Sequence, residues 1–130
     1  MKIRYFYLLI IFFSPSFVYG DWSRVTFNDE TTMFIDSQTI KRKGDLVQVT
    51  QLMNFPLGSK SPDNKLSYKS SITTEEYDCK KGLSRTLSFR WYSDVKGTGK
   101  MVYEDKNTYE FEKLVDGSLL NSVRKKVCEK

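Results

Sequence analysis

The side chains with the best-defined chemistry in this sequence are its two cysteines, Cys79 and Cys128. Cys79 ends a strand-like stretch in the middle of the 130 residues, and Cys128 lies two residues before the last one. Two lone cysteines most often pair in an oxidising compartment, and the N-terminal residues indicate export. We therefore expect an intramolecular disulfide, which the chain-entropy argument values at roughly 4 kcal/mol. A free reactive thiol and an intermolecular bridge are the alternatives.

Groups that commonly catalyse reactions are scarce. The sequence has no histidine, which removes the commonest general base and metal ligand and the serine–histidine–acid arrangement. Two cysteines without histidine do not form a zinc site. Acidic residues adjoin at Glu75–Glu76 and Asp29–Glu30, but neighbours on a strand point to opposite faces, so neither pair converges on a substrate. We expect no enzymatic activity, no cofactor and no metal; an enzyme built on scattered carboxylates is an alternative.

The first 20 residues have the layout of a secretory signal peptide. Lys2 and Arg4 form a positively charged start, residues 5–13 are an unbroken apolar run, and small residues precede the expected cleavage site. Such a short apolar run cannot cross roughly 30 Å of hydrocarbon, which needs about 20 residues. The pattern therefore predicts a removable leader over residues 1–20, and no later segment is apolar enough to span a membrane.

The predicted cleavage lies between Gly20 and Asp21, so the mature chain is expected to be a single domain over residues 21–130. Without the two basic residues of the leader, 19 basic side chains face 16 acidic ones, a net charge of +3. So modest a charge, mixed along the chain, argues against nucleic-acid binding. We expect an exported protein in the periplasm, with the cell surface or secretion as alternatives. Its expected partner is a protein, and a homodimer is a further alternative.

Alternating apolar and polar residues predict a succession of β-strands. The turn at Lys80–Gly82 joins two long strands into a central hairpin, with Cys79 at its tip. In chain order the predicted strands cover residues 21–27, 31–35, 46–55, 66–79, 83–92 and 100–104, and residues 109–115 are a last short strand or an extended segment.

Turn residues separate these strands. Asp36 is expected to end the second strand by accepting hydrogen bonds from the amides of the following turn. Residues 41–45 favour a solvated hairpin tip over a basic binding patch. Residues 56–65, with two prolines and a glycine, predict a surface loop. Residues 97–99 favour a turn, because they lack the further glycine and the lysine of a phosphate-binding loop.

Aromatic side chains are abundant, but the sequence leaves their surroundings open. Strict alternation along the fifth strand places Phe89 and Trp91 on the same face as Leu83 and Arg85. Most aromatic residues are expected in the core or in cross-strand pairs. Exposed ones would form an adhesive or ligand-binding patch.

A single helix is predicted at the C-terminal end. Ser118 is the expected N-cap, and apolar residues then recur at helical spacing, at Leu119, Leu120, Val123 and Val127. Because so short a helix is marginal by itself, it must pack on the sheet. The predicted fold class is α+β: an antiparallel sheet of about six strands, with one C-terminal helix packed on it and tied by the disulfide.

Short sequence pieces that run in order through the mature chain form a recognisable set. They are Trp22, Met33–Asp36 with Thr39–Ile40, Val47–Phe55, Ser67–Ser71, Glu76–Cys79, Phe89 with Tyr92, Gly97–Gly99, and Gly117–Ser118 with Cys128. Together these pieces resemble the surface-adhesin protein E family of bacterial exported proteins. The resemblance implies a mostly antiparallel sheet of about six strands and a C-terminal helix tied back by the cysteine pair.

For function, the resemblance implies an outer-surface lipoprotein that binds host matrix and serum proteins and binds haem as a dimer. This chain has no cysteine at the expected cleavage site and no histidine to ligate haem iron. We expect a non-enzymatic exported binding module, adhesin-like, that contacts proteins or host matrix through its sheet surface or loops. A periplasmic carrier of a small apolar, haem-like ligand is an alternative, as is the periplasmic enzyme.

Overall fold

The structure of the protein, a computed structural model, describes residues 21–129. The predicted signal peptide, with Gly20 of its cleavage site, lies outside the described residues. The described chain contains seven strands, one turn of 3-10 helix and one α-helix. In chain order they are β1 (Trp22–Phe27), β2 (Thr32–Lys43), β3 (Leu46–Lys60), β4 (Ser67–Asp78), β5 (Leu83–Tyr92), the 3-10 turn (Val95–Gly97), β6 (Met101–Asp105), β7 (Glu112–Lys113) and α1 (Leu119–Val127).

The strands form one antiparallel sheet in which each long strand lies beside its neighbours in sequence. The order across the sheet is β1-β2-β3-β4-β5-β6. Of residues 109–115, only the two-residue β7 forms a strand. It pairs with the start of β5, whereas β6 pairs with the end of β5. These findings confirm the predicted α+β fold. No helix within residues 21–129 has the length and apolar character needed to cross a membrane.

Asp36 makes the expected turn, but the prediction that it ends the second strand is wrong. Its Oδ1 accepts a hydrogen bond from the amide of Gln38 at 3.0 Å, and the register with β3 shifts between Asp36 and Lys41. The turn is thus absorbed as a bulge, after which β2 continues. The hydroxyl of Thr39 substitutes for a backbone acceptor, since the amide of Thr50 donates to it at 2.9 Å.

The surface loop predicted at residues 56–65 is also shorter than expected. Strand β3 continues to Lys60, because an irregularity between Asn54 and Ser59 accommodates the proline and glycine of this stretch without ending the pairing. The connection to β4 is left to residues 61–66. Residues of this shorter loop line one side of a cleft that is described below.

Ser118 is the N-cap of α1, as predicted. The side-chain oxygen of Ser118 accepts a hydrogen bond from the amide of Asn121 at 3.2 Å. Val123 and Val127 of the helix are almost completely buried. They pack against one face of strands β2 to β4, where the buried members of the core are Met33, Ile35, Val47, Val49 and Tyr77. The apolar stripe of the helix therefore forms the main core together with the sheet.

The predicted disulfide joins Cys79 to Cys128, with their Cα atoms 5.7 Å apart across a sequence separation of 49. Cys79 directly follows β4 at the tip of the β4–β5 hairpin, and its amide donates to the carbonyl of Asp45 at 2.8 Å. Cys128 is the C-cap of the helix. The bridge thus holds the last helical turn against the hairpin tip, which confirms the intramolecular pairing.

On the opposite face of the sheet, the 3-10 turn packs against β3, β4 and β5. The amide of Gly97 donates to the hydroxyl of Ser70 at 2.8 Å, and the amide of Lys96 donates to Asn54 Oδ1 at 2.7 Å. Gly97 has a φ of +69° and lies directly on Ile72. Glycine is required here both for the left-handed backbone and for the close approach.

Replacing both cysteines by serine should lower the free energy of unfolding by about 2–4 kcal/mol, because the unfolded chain regains the freedom that the closed loop denies it. Urea unfolding of the mature chain measures the change. Wild-type protein under reducing conditions is the matched control and should lose the same amount. An unchanged urea midpoint in the variant would contradict a stabilising bridge.

Gly97→Ala should destabilise the protein more than Gly58→Ala. The two glycines have φ values of +69° and +86°, so alanine brings similar backbone strain at both, roughly 1–2 kcal/mol. A Cβ at Gly97 would lie 2.6 Å from Ile72 Cδ1, whereas no described atom lies within 4 Å of one at Gly58. Urea midpoints of the two variants test this difference, and equal losses would contradict the close packing of the 3-10 turn.

Candidate functional site, an aromatic cleft

The helix covers only part of the sheet face on which it lies. It has nine residues, which makes it roughly 14 Å long. Its backbone lies nearest to β1 and β2, and its buried side chains reach the core residues of β2 to β4. The pairing register continues the same face beyond it, in a row of directly opposed residues that runs Met33, Met53, Ser71, Trp91 and Tyr103. Directly opposed residues of an antiparallel sheet share a face. Met33 at one end of the row is fully buried, whereas Tyr103 at the other end is 41% exposed.

A bulge in β5 brings two aromatic side chains to this face. Glu75 is paired with Thr86, but the next residue back along β4, Thr74, is paired with Ser88. Leu87 is therefore an extra residue in β5, and every side chain beyond it changes face. The expectation that Phe89 and Trp91 share a face with Leu83 and Arg85 is wrong for this reason. They lie instead on the face of the helix.

These residues line an open cleft of about 460 Å³, which we call the aromatic cleft. Its floor and one side come from β5, β6 and the segment that follows β6, and its other side comes from the loop between β3 and β4. The lining residues are Ser61, Pro62, Asp63, Leu66, Phe89, Trp91, Tyr103, Asp105 and Tyr109.

The rings of the cleft are tilted towards one another and do not form a flat platform. The Trp91 and Tyr103 centroids lie 5.0 Å apart with 38° between the ring planes. Phe89 lies 5.4 Å from Trp91 and 6.5 Å from Tyr109, with interplanar angles of 35° and 37°. Mutually tilted rings at these separations are favourable aromatic contacts and give the surface its concave shape.

Aromatic neighbours fix the position of the Trp91 ring. The ring of Tyr68 stacks on it at 4.2 Å with the planes 8° apart, and Phe55 meets Tyr68 edge-on at 5.7 Å. Because both neighbours belong to the sheet, the indole has little freedom to reorient. The exposed side of Trp91 is therefore presented in one orientation.

Two carboxylates flank the rings. Asp105 accepts hydrogen bonds from the Tyr109 hydroxyl and from the amide of Asn107, and the Tyr109 bond is the main cause that lowers the pKa of Asp105. Asp63 accepts from the Ser61 hydroxyl at 2.5 Å, which lowers its pKa likewise. Both carboxylates are ionised at neutral pH, since these hydrogen bonds favour the charged form.

A second cavity, of about 400 Å³, lies between β5, the segment before β7 and the helix, and Glu75 is one of its lining residues. Glu75 is 3% exposed and accepts a hydrogen bond from the Thr86 hydroxyl at 2.7 Å. Burial raises the pKa of Glu75. Glu76, on the other face, pairs with Arg85 at 2.7 Å. The two adjacent carboxylates therefore lie on opposite faces of the sheet and do not converge, as expected.

The disulfide lies far from the aromatic cleft. Cys79 is at the Leu83 end of β5, and Phe89 is six residues along that strand, a distance of roughly 20 Å at 3.3 Å per residue. The bridge is therefore structural with respect to the cleft. Sequence reasoning anticipated an exposed aromatic patch in general terms but did not identify these members, because the face of Phe89 and Trp91 depends on the bulge at Leu87.

Comparison with known proteins gives a family and a fold. A family model described as surface-adhesin protein E matches residues 22–129. A solved structure of Haemophilus influenzae protein E covers 82% of this chain and 83% of its own, with 18% identity and a TM-score of 0.60. A second crystal form covers 82% and 86%, with 18% identity and a TM-score of 0.63.

Protein E from non-typeable Haemophilus influenzae is also similar. It covers 88% of this chain and 79% of its own, with 16% identity and a TM-score of 0.56. At such low identity the likeness to these structures shows the fold alone. No curated protein sequence matches this chain significantly.

Glu75→Gln should stabilise the protein at neutral pH, and the gain should shrink on acidification. Burial raises the pKa of Glu75 above its ordinary value of 4.5, so the wild type loses stability as pH rises from below that value through the raised pKa. Glutamine keeps an acceptor for Thr86 without the buried charge. Urea unfolding of both proteins across this pH window measures the difference.

Glu76→Gln is the matched control for Glu75→Gln, because it removes the ion pair with Arg85 instead. It should leave the protein equally or less stable at neutral pH. A stability difference between Glu75→Gln and wild type that stays constant down to acidic pH would contradict a buried, ionised Glu75.

Proposed function

This chain belongs to the surface-adhesin protein E family, and we propose that it is an exported, non-enzymatic adhesin-like binding protein that holds a protein partner in the aromatic cleft. The family is one of surface adhesins, which supports binding of host proteins. The observation that carries the choice of site is the row of aromatic rings that the helix leaves uncovered. Tyr103 and Tyr109 at its rim are 41% and 48% exposed.

Rigid aromatic side chains are the typical anchors of protein interfaces. They supply a large contact area at a low cost in side-chain entropy, and they dominate binding free energy when a partner desolvates them. The stack of Tyr68 on Trp91 adds preorganisation, since a fixed indole has less freedom to lose on binding. The exposed large apolar residues Phe27, Leu57 and Val115 belong to other elements and line no part of this cleft.

The shape of the cleft favours a protein partner over the two other functions considered from the sequence. Sites for small apolar ligands enclose most of the ligand surface, whereas this cleft is open to solvent, with Tyr103 and Tyr109 of its lining 41% and 48% exposed. An enzyme built on scattered carboxylates requires an acid whose pKa lies near the working pH. Hydrogen bonds lower the pKa values of Asp63 and Asp105 in the cleft, whereas Glu75, whose pKa is raised, is 3% exposed.

The proposal also covers the export of the chain and its oligomeric state. Residues 1–20 are proposed to be a signal peptide cleaved between Gly20 and Asp21, leaving one domain over residues 21–130. We propose the periplasm as the location, with the cell surface or secretion as the alternatives, and protease accessibility on intact cells distinguishes them. A homodimer is a further proposal, and light scattering of the purified mature chain measures it.

Trp91→Ala and Tyr103→Ala should each weaken binding to a protein partner by about tenfold or more, because they remove the central anchors of the cleft. The measurement is binding of the mature chain to a panel of immobilised extracellular-matrix and serum proteins. Phe27→Ala is the matched control, since Phe27 is a 62% exposed aromatic residue of β1.

The control should bind as the wild type does. Equal losses in Phe27→Ala and the cleft variants, or no binding of the wild type to any member of the panel, would contradict the proposed function. Thermal unfolding of each variant shows that a loss reflects the contact and not the fold.

A further inference from the structure

The lining of the aromatic cleft selects the chemistry of what enters it. We propose that the cleft receives an arginine side chain of the protein partner, whose guanidinium stacks on Trp91 and Tyr103 and donates hydrogen bonds to Asp63 and Asp105. This inference rests on the proposed function and deepens it, because it assigns the recognised group.

The first observation is charge. Asp63 and Asp105 come from different elements, the loop after β3 and strand β6, and both line the cleft. No basic side chain is among the residues that line it in the described chain. The chain as a whole has more basic than acidic residues. The charged residues that line the cleft, in contrast, are both acidic. A cationic group is the complement of this surface.

The second observation is the unused capacity of the carboxylates. Asp63 Oδ1 accepts from the Ser61 hydroxyl and the amide of Lys65, while its Oδ2 accepts no hydrogen bond from residues 21–129. Each oxygen of Asp105 accepts one hydrogen bond. A carboxylate has about four acceptor positions, so both groups keep free lone pairs. Asp63 is exposed, whereas Asp105 is 7% exposed and offers its lone pairs only where it lines the cleft. A guanidinium offers five donors in a fixed fork.

The third observation is a contrast among the aromatic rings. Outside the cleft, own-chain cations lie over several rings: Arg24 over Phe27 at 5.0 Å, Lys96 over Phe34 at 4.9 Å, Arg85 over Phe111 at 4.4 Å and Arg90 over Tyr92 at 5.9 Å. Within the described chain, none of the four cleft rings has a cation over it. The fold thus uses this contact repeatedly and leaves free the rings that stand beside two carboxylates.

The same groups argue against other ligands. A neutral sugar would gain nothing from the negative charge of a lining with two carboxylates and no basic side chain. A trimethylammonium group suits tilted rings but has no N–H to reach the carboxylates. A lysine ammonium is a point charge that does not stack as a planar guanidinium does. Arginine is the side chain that uses both the rings and the acids.

The test uses a short capped peptide, acetyl-Gly-Arg-Gly-amide, and the fluorescence of Trp91. The sequence has two tryptophans, so a Trp22→Phe variant of the mature chain leaves Trp91 as the sole reporter. Saturable quenching is expected in the millimolar range, since a single side chain supplies few contacts. The same peptide with citrulline, which is neutral and has the same shape, should bind at least tenfold more weakly.

Asp63→Asn and Asp105→Asn should each weaken binding of the arginine peptide about tenfold, because each removes a charge-assisted hydrogen bond. Asp29→Asn, in the exposed turn between β1 and β2, is the matched control and should bind as the parent protein does. Asp63 is exposed on its loop, so Asp63→Asn should keep the fold. This variant therefore tests the proposal even where Asp105→Asn is less stable.

Equal binding of the arginine and citrulline peptides would overturn the inference, as would tighter binding of choline or a monosaccharide. Undiminished arginine binding in both folded Asn variants would overturn it too. None of these results affects the proposed function, which has its own tests: it fails if the wild type binds no member of the panel, or if Trp91→Ala and Tyr103→Ala lose no more affinity for the protein partner than Phe27→Ala does. The two proposals are therefore separated by different variants and different probes.

Discussion

The position of one short helix decides which part of this sheet is core and which part is surface. Six strands side by side measure roughly 24 Å across at about 4.8 Å per strand, and a nine-residue helix cannot cover that width. The disulfide between Cys79 and Cys128 holds the end of the helix at the tip of the β4–β5 hairpin, and its body lies over β1 and β2. The part of the same face around Trp91 and Tyr103, at the paired ends of β5 and β6, is not covered by the helix and is left as an open cleft.

The uncovered part would be an ordinary polar surface if β5 were a regular strand. The extra residue at Leu87 reverses the alternation, so that Phe89 and Trp91 turn towards the helix side and meet Tyr103 of the neighbouring strand. The loop of residues 61–66 and Tyr109 then give the aromatic row its walls. A covalent tie, a bulge and a loop thus act together to produce a concave aromatic surface with an acidic rim.

Features specified by local chemistry were predictable from the sequence. The existence and order of strands β3 to β5, the cap at Ser118 and the helical spacing of Val123 and Val127 depend on residues close in sequence, and the structure confirms them. The bulge after Asp36 was not predictable, because an Asx turn inside a strand has the same residues as one that ends it. The cleft was not predictable either, because the face of Trp91 follows from a register shift and its exposure follows from where the helix stops.

The central claim is that the uncovered aromatic part of the sheet is the binding surface. Backbone amide hydrogen exchange of the mature chain, with and without a protein partner that it binds, tests this most directly. The account predicts new protection in residues 61–66, in β6 and around Tyr109, with the helix and the β4–β5 hairpin tip unchanged. Protection confined to the helix and the hairpin tip, with the cleft exchanging as in the free protein, would contradict it.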